Sequence, residues 1–550
     1  MKRTFLRSVS WTQTLALLLA ALLLATLPAA AATKAKTIRI NSFLQPPPPA
    51  EAPAFEMKDN AVQLSVDQAV EVALQRNLDI VVSRYVRVEN RLAIIQALGY
   101  YDLNATITGI ASSLKQSQAA TTFEPSVSKG QEIDTGFTQN LPLGGSLNAG
   151  WTNSRSQSNS SEATFPSIYT STLSFHYIQP LLQGSGRYAT ERSILIAQSN
   201  SNVSRQNFRL EVTTVTQQVV NAYWALVNAR EQLGVAQESL QLAKDLHSRN
   251  QVEVQVGTKA PLELTNSEAA IATREEGIIQ AISAVGDAED VLRRLLNLPP
   301  GKLWETPIVP TSDPKTDEKV TVDLKAALTA AVAQRPELRS QELQLAQAKR
   351  DADYFHRQLK PQLNLDVQYN YTGLDSSFSS AFNQITGISF PGWTVTLAFI
   401  YPIQNRTARA TSATANVEVD RFQSLYDQER TVIEGEVRTA ARAVDTAIKS
   451  IDANVKAREF QEKNLDAEKK RYENGMSTSF QITQIQDQLT EARSAEVQAT
   501  VNYRTALAEY YRSVGTLLDQ EGVAIEDAPQ SDAIEKRFSF SRAPLPGERR

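Results

Sequence analysis

Three histidines, His176, His247 and His356, are the residues best suited to acid–base or metal chemistry in a 550-residue chain that has no cysteine. A metal site needs ligands at short, fixed spacings, and none of the three has such a partner. The missing cysteines exclude disulfides, thiolate metal sites, cysteine nucleophiles and a lipidated N-terminal cysteine. No phosphate loop, glycine-rich nucleotide loop or nucleophile elbow occurs, so the sequence predicts no enzyme, no cofactor and no bound metal. Lys and Arg are interleaved with Asp and Glu at a formal charge of -4, which offers no basic face to nucleic acid. What does recur is a pair of glycine turns, VGTKAPLEL at 256–264 and NGMSTSFQI at 474–482.

Those turns belong to an internal repeat. With Gly257 laid over Gly475, Val219 meets Val437, Ala225 meets Ala443, Ala229 meets Ala447 and Leu233 meets Ile451, without a gap from about 211 to 298. Upstream, Gln75-Arg76 matches Gln334-Arg335, Leu103-Asn104 matches Leu363-Asn364, and IQPLL at 178–182 resembles IYPIQ at 400–404. The chain is read as a first copy over 61–298, with strands at about 103–180, and a second over 320–519, with strands at about 363–402. A Pro-rich linker, 299–319, joins them, and 520–550 is a polar tail.

Residues 1–32 read as a secretory signal: Lys2, Arg3 and Arg7 precede the apolar run Leu15 to Leu27, and Ala29 to Ala32 offers a small-residue cleavage site. Residues 33–60, with Pro46 to Pro49 in a row, read as a flexible leader. No stretch after residue 30 is apolar for ~18 residues, so a membrane-spanning helix is not expected. A β-barrel route into a membrane stays open.

With 22 glycines and 23 prolines, roughly 8% against an average near 12%, turns are scarce and the elements must be long. Val212, Val215, Val219, Ala222, Leu226, Ala229, Leu233, Ala236, Leu240 and Ala243 are spaced 3, 4, 3, 4, a heptad seam. This predicts a helix from about Thr190 to Gln255, on the order of 100 Å long at ~1.5 Å per residue. The second copy repeats the seam with Ile433, Val437, Ala440, Val444, Ala447 and Ile451. A glycine turn ends each long helix. Shorter helices are expected after it, at about 261–298 and 479–518, and single helices before the strands, at about 65–98 and 322–359.

Between these helices the period changes to two. Leu363, Leu365, Val367, Tyr369 and Tyr371 alternate with polar residues, as do Leu173, Phe175 and Tyr177. Strands of ~9 to 11 residues, rich in Tyr, Phe and Thr, fit either outer-membrane strands or a soluble sandwich. Residues 112–132 and 152–168 read as polar loops, and 132–155 as an extra hairpin that either joins the strands or stands apart from them. In lipid, an open sheet edge leaves backbone groups unsatisfied, and one chain has too few strands to close a barrel. Several chains would have to share one.

The duplicated strand-strand-long-helix unit, the two glycine motifs and PQLNL at 361–365 together resemble the TolC-type outer-membrane efflux proteins, over about 61–519. The resemblance implies a mainly α fold with membrane β: a shared trimeric β-barrel continued by a periplasmic α-helical coiled-coil barrel. It implies a homotrimer in the cell outer membrane and its lipid, serving as the passive exit duct of a tripartite efflux or type I secretion system. The partners implied are a periplasmic adaptor and an inner-membrane efflux transporter or ABC exporter. Its adaptor-docking tips would be Val256, Gly257, Thr258 and Lys259 with Asn474, Gly475, Met476 and Ser477. The periplasmic entrance positions correspond to Glu263, Asn266, Gln481 and Gln484. A periplasmic adaptor or an adhesin without a channel is the competing reading; an adaptor would carry one helical hairpin rather than two.

Overall fold

The computed structural model describes residues 56–58, 61–116, 126–158, 167–299, 301–314 and 320–525. The expected signal segment, most of the leader, part of the linker and the tail from 526 lie outside the described residues. In chain order the main elements begin with two short strands, β1 (Glu56–Lys58) and β2 (Ala61–Leu64), and two helices, α1 (Val66–Arg76) and α2 (Leu78–Leu98). Four long strands follow: β3 (Asn104–Gln116), β4 (Ser126–Asn140), β5 (Ser146–Ser158) and β6 (Ser167–Pro180). The first copy closes with α3 (Arg192–Gln255) and α4 (Leu262–Leu295), and β7 (Ile308–Pro310) lies beyond it. The second copy holds α5 (Leu324–Gln334), α6 (Pro336–Arg357), β8 (Gln362–Asp375), α7 (Phe378–Thr386), β9 (Pro391–Ile400), α8 (Arg406–Glu473) and α9 (Ser479–Val514), with one further turn of helix, α10 (Leu517–Gln520).

The 64-residue α3 and the 68-residue α8 are each ~100 Å long at ~1.5 Å per residue. Against α3 pack α2 and α4; against α8 pack α6 and α9. Two shorter helices placed end to end thus accompany each long one. The seam is buried where predicted in the upper half of α3, at Val212, Val215, Val219, Ala222 and Leu226, and in α8 at Ile433, Val437, Ala440, Val444 and Ala447. Further down α3, Ala229, Leu233, Ala236 and Leu240 are only half-buried within one chain.

The single helices expected before the strands are each broken in two. Asn77 leaves the helical region (ψ 131°), and its side chain accepts from the N–H groups of Asp79 and Ile80 to start α2. Its amide also donates to the Leu295 carbonyl at 2.9 Å. In the second copy Arg335 takes ψ 122° because the proline after it disfavours helical backbone, while Pro336 itself is well placed at the start of α6. The periodicity continues across both breaks, which is why the pattern alone conceals them.

Strands β3-β4-β5-β6-β8-β9 form one antiparallel sheet in that order, and β6 against β8 is the pairing that joins the two copies. The 132–155 hairpin is part of it, as β4 and β5. Its turn is held by the Leu141 N–H to the Gly145 carbonyl at 2.8 Å and the Gly144 N–H to the Leu141 carbonyl at 3.0 Å. The strands run 10 to 15 residues, longer than expected, and take in much of the stretches read as loops. Polar composition misled there, because backbone pairing needs no apolar side chain. A second sheet, β1-β2-β7, meets the helices in the main core, where the buried Tyr223 hydroxyl donates to the Leu64 carbonyl at 3.1 Å.

Candidate functional site: a two-faced sheet and two linked helix turns

Strand side chains alternate between faces, and the registers run without a slip from β3 to β9. Opposed residues therefore share a face across the whole sheet. One face carries Leu103, Ile107, Phe137, Trp151, Phe175, Tyr369, Trp393, Val395, Leu397 and Phe399. Ile107 is 80% and Trp393 70% exposed. The other carries Asn104, Thr106, Thr138, Asn148, Thr152, Ser174, Gln368, Asn370, Thr394 and Thr396. Large aromatic and aliphatic groups thus face outward with nothing covering most of them.

Charge follows the same division. Of the charged strand residues, Glu132, Asp134 and Asp366 lie on the polar face with His176, whose Nε2 is 2.7 Å from an Asp366 oxygen. Lys115, Lys129 and Arg155 lie on the apolar face, at the end of the sheet away from the helices. Asp375 is the one acid on that face, and it is engaged with Ser376 and Gln384.

Helix α7, which the sequence reading did not anticipate, is laid on the apolar face. Ser377 caps it, Ala381 and Ile385 are buried, and the Phe382 ring lies 5.7 Å from that of Trp151. Gln384 accepts from the Leu374 N–H at 3.0 Å and donates to the Leu374 carbonyl at 3.2 Å, occupying strand groups beyond the last β9 pairing. Gly373 lets the helix come close, since a Cβ there would stand 1.9 Å from the Ala381 carbonyl oxygen. The signal available was Ser377 three residues before Ser380, followed by apolar residues at 378, 381, 382 and 385.

At the opposite end of the molecule, Gly257 (φ 81°) and Gly475 (φ 73°) reverse the chain in the left-handed conformation. In both turns the N–H of the next residue returns to the carbonyl five positions back, Thr258 to Glu253 and Met476 to Arg471, each at 2.9 Å. The two turns of one chain touch. Tyr472 is 4% exposed, and its hydroxyl bonds Asn250 and, at 3.3 Å, Glu253. Lys259 pairs with Glu253 at 2.8 Å and lies over the Tyr472 ring.

Of the four positions expected at an entrance, half-buried Glu263 accepts from the Ser479 hydroxyl across the two turns. Gln481 is spent on a capping box with Thr478 and also accepts from Ser477 at 2.9 Å. Asn266 and Gln484 are exposed. Exposed apolar groups crowd the same end: Val256, Leu262, Met476 and Phe480. His247 bonds Ser267 at 2.8 Å on the adjoining helices, and His356 closes α6, so the three histidines lie in three separate places.

Above the turns a ladder of charges ties the two helical hairpins together. Arg249 pairs with Glu473 at 3.0 Å, Arg274 with Asp487 at 2.7 Å, and Arg493 reaches Glu238 on α3 and, at 3.1 Å, Glu462 on α8. Burial pushes the Glu462 carboxyl up, but hydrogen bonds from Arg493 and Arg458 outweigh it and hold the group below the ordinary carboxylate value.

Residues 327–516 match the family described as outer membrane efflux protein. The chain is 24% identical over 339 residues, 60% of its length and 67% of the relative's, to a Pseudomonas putida protein named as the pyoverdine export outer membrane protein OpmQ. Among solved structures, the outer-membrane channel OprN is similar over 82% of this chain and 90% of its own, at 17% identity and a TM-score of 0.63. The Campylobacter jejuni CmeC outer membrane channel is similar over 87% and 89%, at 15% identity and a TM-score of 0.63. At such identities the structural likeness speaks for the fold.

Proposed function

We propose that this chain, which is a TolC-like outer membrane efflux protein, assembles as a homotrimer whose six-stranded sheets close into one barrel, the exit duct of an efflux or secretion system. The observation that carries this reading is the open sheet itself. The outer edges of β3 and β9 pair with nothing among the described residues, while one face carries most of the large exposed aromatic and aliphatic side chains. Lipid tolerates neither unpaired backbone nor an open edge, so the edges must meet those of other copies. Three six-stranded sheets make eighteen strands, a size at which barrels hold an aqueous channel. The polar, acid-bearing face then lines the lumen and suits a water-soluble cargo.

The two repeats, 61–298 and 320–519, act as the two halves of the protomer. Their long helices continue the wall into the periplasm, and the half-buried stretch Ala229 to Leu240 is left for neighbouring protomers. The paired turns, with exposed Val256 and Met476, serve as the docking tips for a periplasmic adaptor. An inner-membrane transporter or exporter behind that adaptor supplies the energy. The links from Glu263 to Ser479 and from Tyr472 to Asn250 support an entrance whose two turns are latched together within each protomer.

The natural absence of cysteine gives a direct test. Cysteines placed along the polar face of β3, from Thr106 to Thr108, and of β9, from Thr394 to Thr396, should crosslink between protomers to dimers and trimers in isolated outer membranes. Monomers alone across the whole scan would overturn the shared barrel.

A further inference from the structure

We infer that the outward basic cluster Lys115, Lys129 and Arg155 is a binding site for the phosphate of a lipid headgroup in the outer leaflet. The inference rests on the barrel reading, since it needs the apolar face to be the lipid-facing one. The three cations come from three adjacent strands, β3, β4 and β5. The register sets Lys129 opposite Ser113 and Gln157, and Arg155 opposite Gln131. Lys129 and Arg155 border a shallow cavity of about 230 Å³ whose other walls include Ser113, Gln131 and Gln157, and Lys115 stands two residues beyond Ser113 on β3. No carboxylate of these three strands shares the face, because Glu132 and Asp134 both point to the other side.

The position selects the ligand. Long helices leave the opposite end of the sheet, so the cluster lies at the end that faces the cell exterior. Below it the same face carries Ile107, Ile133, Phe137 and Trp151 along the same strands, with Thr135 and Asn153 between them. An occupant must therefore present anionic oxygens at the top and hydrocarbon beneath, as a phosphorylated lipid does. Juxtamembrane cations attract such headgroups, and a guanidinium suits phosphate through its fork of N–H donors. Arg155 is already oriented, with its guanidinium carbon 5.4 Å from the Tyr169 ring centre. Its Nε is buried without a hydrogen-bond partner among the described residues. Helix α7 lies on the same face, with Phe382 on Trp151 and Phe378 stacked on Phe382.

The test uses the full-length protein purified in detergent. It is titrated with diphosphoryl lipid A, with the same lipid stripped of its phosphates, and with inorganic phosphate, beside the double variant K129Q/R155Q and the conservative R155K. The expected result is about tenfold tighter retention of the phosphorylated lipid by the natural protein, a preference lost in K129Q/R155Q and largely kept in R155K. Inorganic phosphate should compete only weakly, because it lacks the chains that rest on the apolar strands. Equal retention of both lipids, an unchanged preference in the double variant, or full displacement by inorganic phosphate would each overturn the site. Quenching of Trp393 by brominated lipid tails, read as the difference from W393F, separates the two levels. Quenching without a phosphate preference removes the site alone, whereas no quenching removes the lipid-facing wall beneath it.

Discussion

The Arg274 guanidinium on α4 donates to the Asp487 carboxylate on α9 at 2.7 Å and to the Ser239 hydroxyl on α3 at 3.1 Å, so one largely buried side chain joins both helical hairpins of a protomer. Thr490 completes the link by donating to the same Ser239 at 3.0 Å. A partly buried, charge-assisted bond of this kind is worth ~1 to 3 kcal/mol when one partner is removed. Such links hold the two turns together, and in the proposed channel they must be exchanged for others if the entrance is to widen.

Arg274→Ala should therefore favour the open entrance. Each ~1.4 kcal/mol is a factor of ten in a population, so open probability in planar bilayers should rise by about tenfold, with thermal stability of the barrel unchanged. An unchanged conductance record would mean that the hairpins are held elsewhere.

Acid should loosen the same region at Glu462. Its folded-state pKa is held below the unfolded value, so the stabilisation is fully present above the ordinary carboxylate range near ~4.3. It is lost as pH falls through the depressed folded value. Conductance should accordingly rise in strongly acid buffer on the helical side, and Glu462→Gln should remove part of that rise. A pH response identical in the variant would exclude this carboxylate.

Much of this was legible in the sequence, because periodicity is a one-dimensional signal. The seam from Val212 to Leu226 and the turns at Gly257 and Gly475 need only spacing and a glycine. Both breaks had a local signal, Pro336 after Arg335 and the capping asparagine at Asn77, whereas the Asn77 bond to the Leu295 carbonyl is visible only in three dimensions. Likewise Glu263 stands in the sequence only as one of the four expected entrance positions. Its partner Ser479 lies in the other copy, a pairing that no local pattern reveals. The sidedness of Lys129 and Arg155 was present in the alternation and was masked by the polar residues around them.

In the proposed barrel, Glu132 and Asp134 would place fixed negative charge on the lumen side, with no Lys or Arg on that face among the described strand residues. Fields of this sort enrich counter-ions, so the channel should prefer potassium to chloride. The double variant E132Q/D134N should reduce that preference a few-fold, measured as the reversal potential across a salt gradient. A preference that stays intact would place selectivity at the helical entrance.

Helix α7 should detach from the sheet when Gly373 gains a side chain. The Cβ of alanine would stand 1.9 Å from the Ala381 carbonyl oxygen, and backbone on both sides leaves no flexible group to yield. The helix would have to lift, breaking the Gln384 bonds to the Leu374 peptide and separating Phe382 from Trp151. Gly373→Ala should then raise protease cleavage within 376–390 on intact cells severalfold while trimers still form. Gly109 on the same face offers the control, because a Cβ there meets nothing within 4 Å and Gly109→Ala should leave cleavage unchanged. Equal cleavage in both variants would show that the helix is not seated on this face in the membrane.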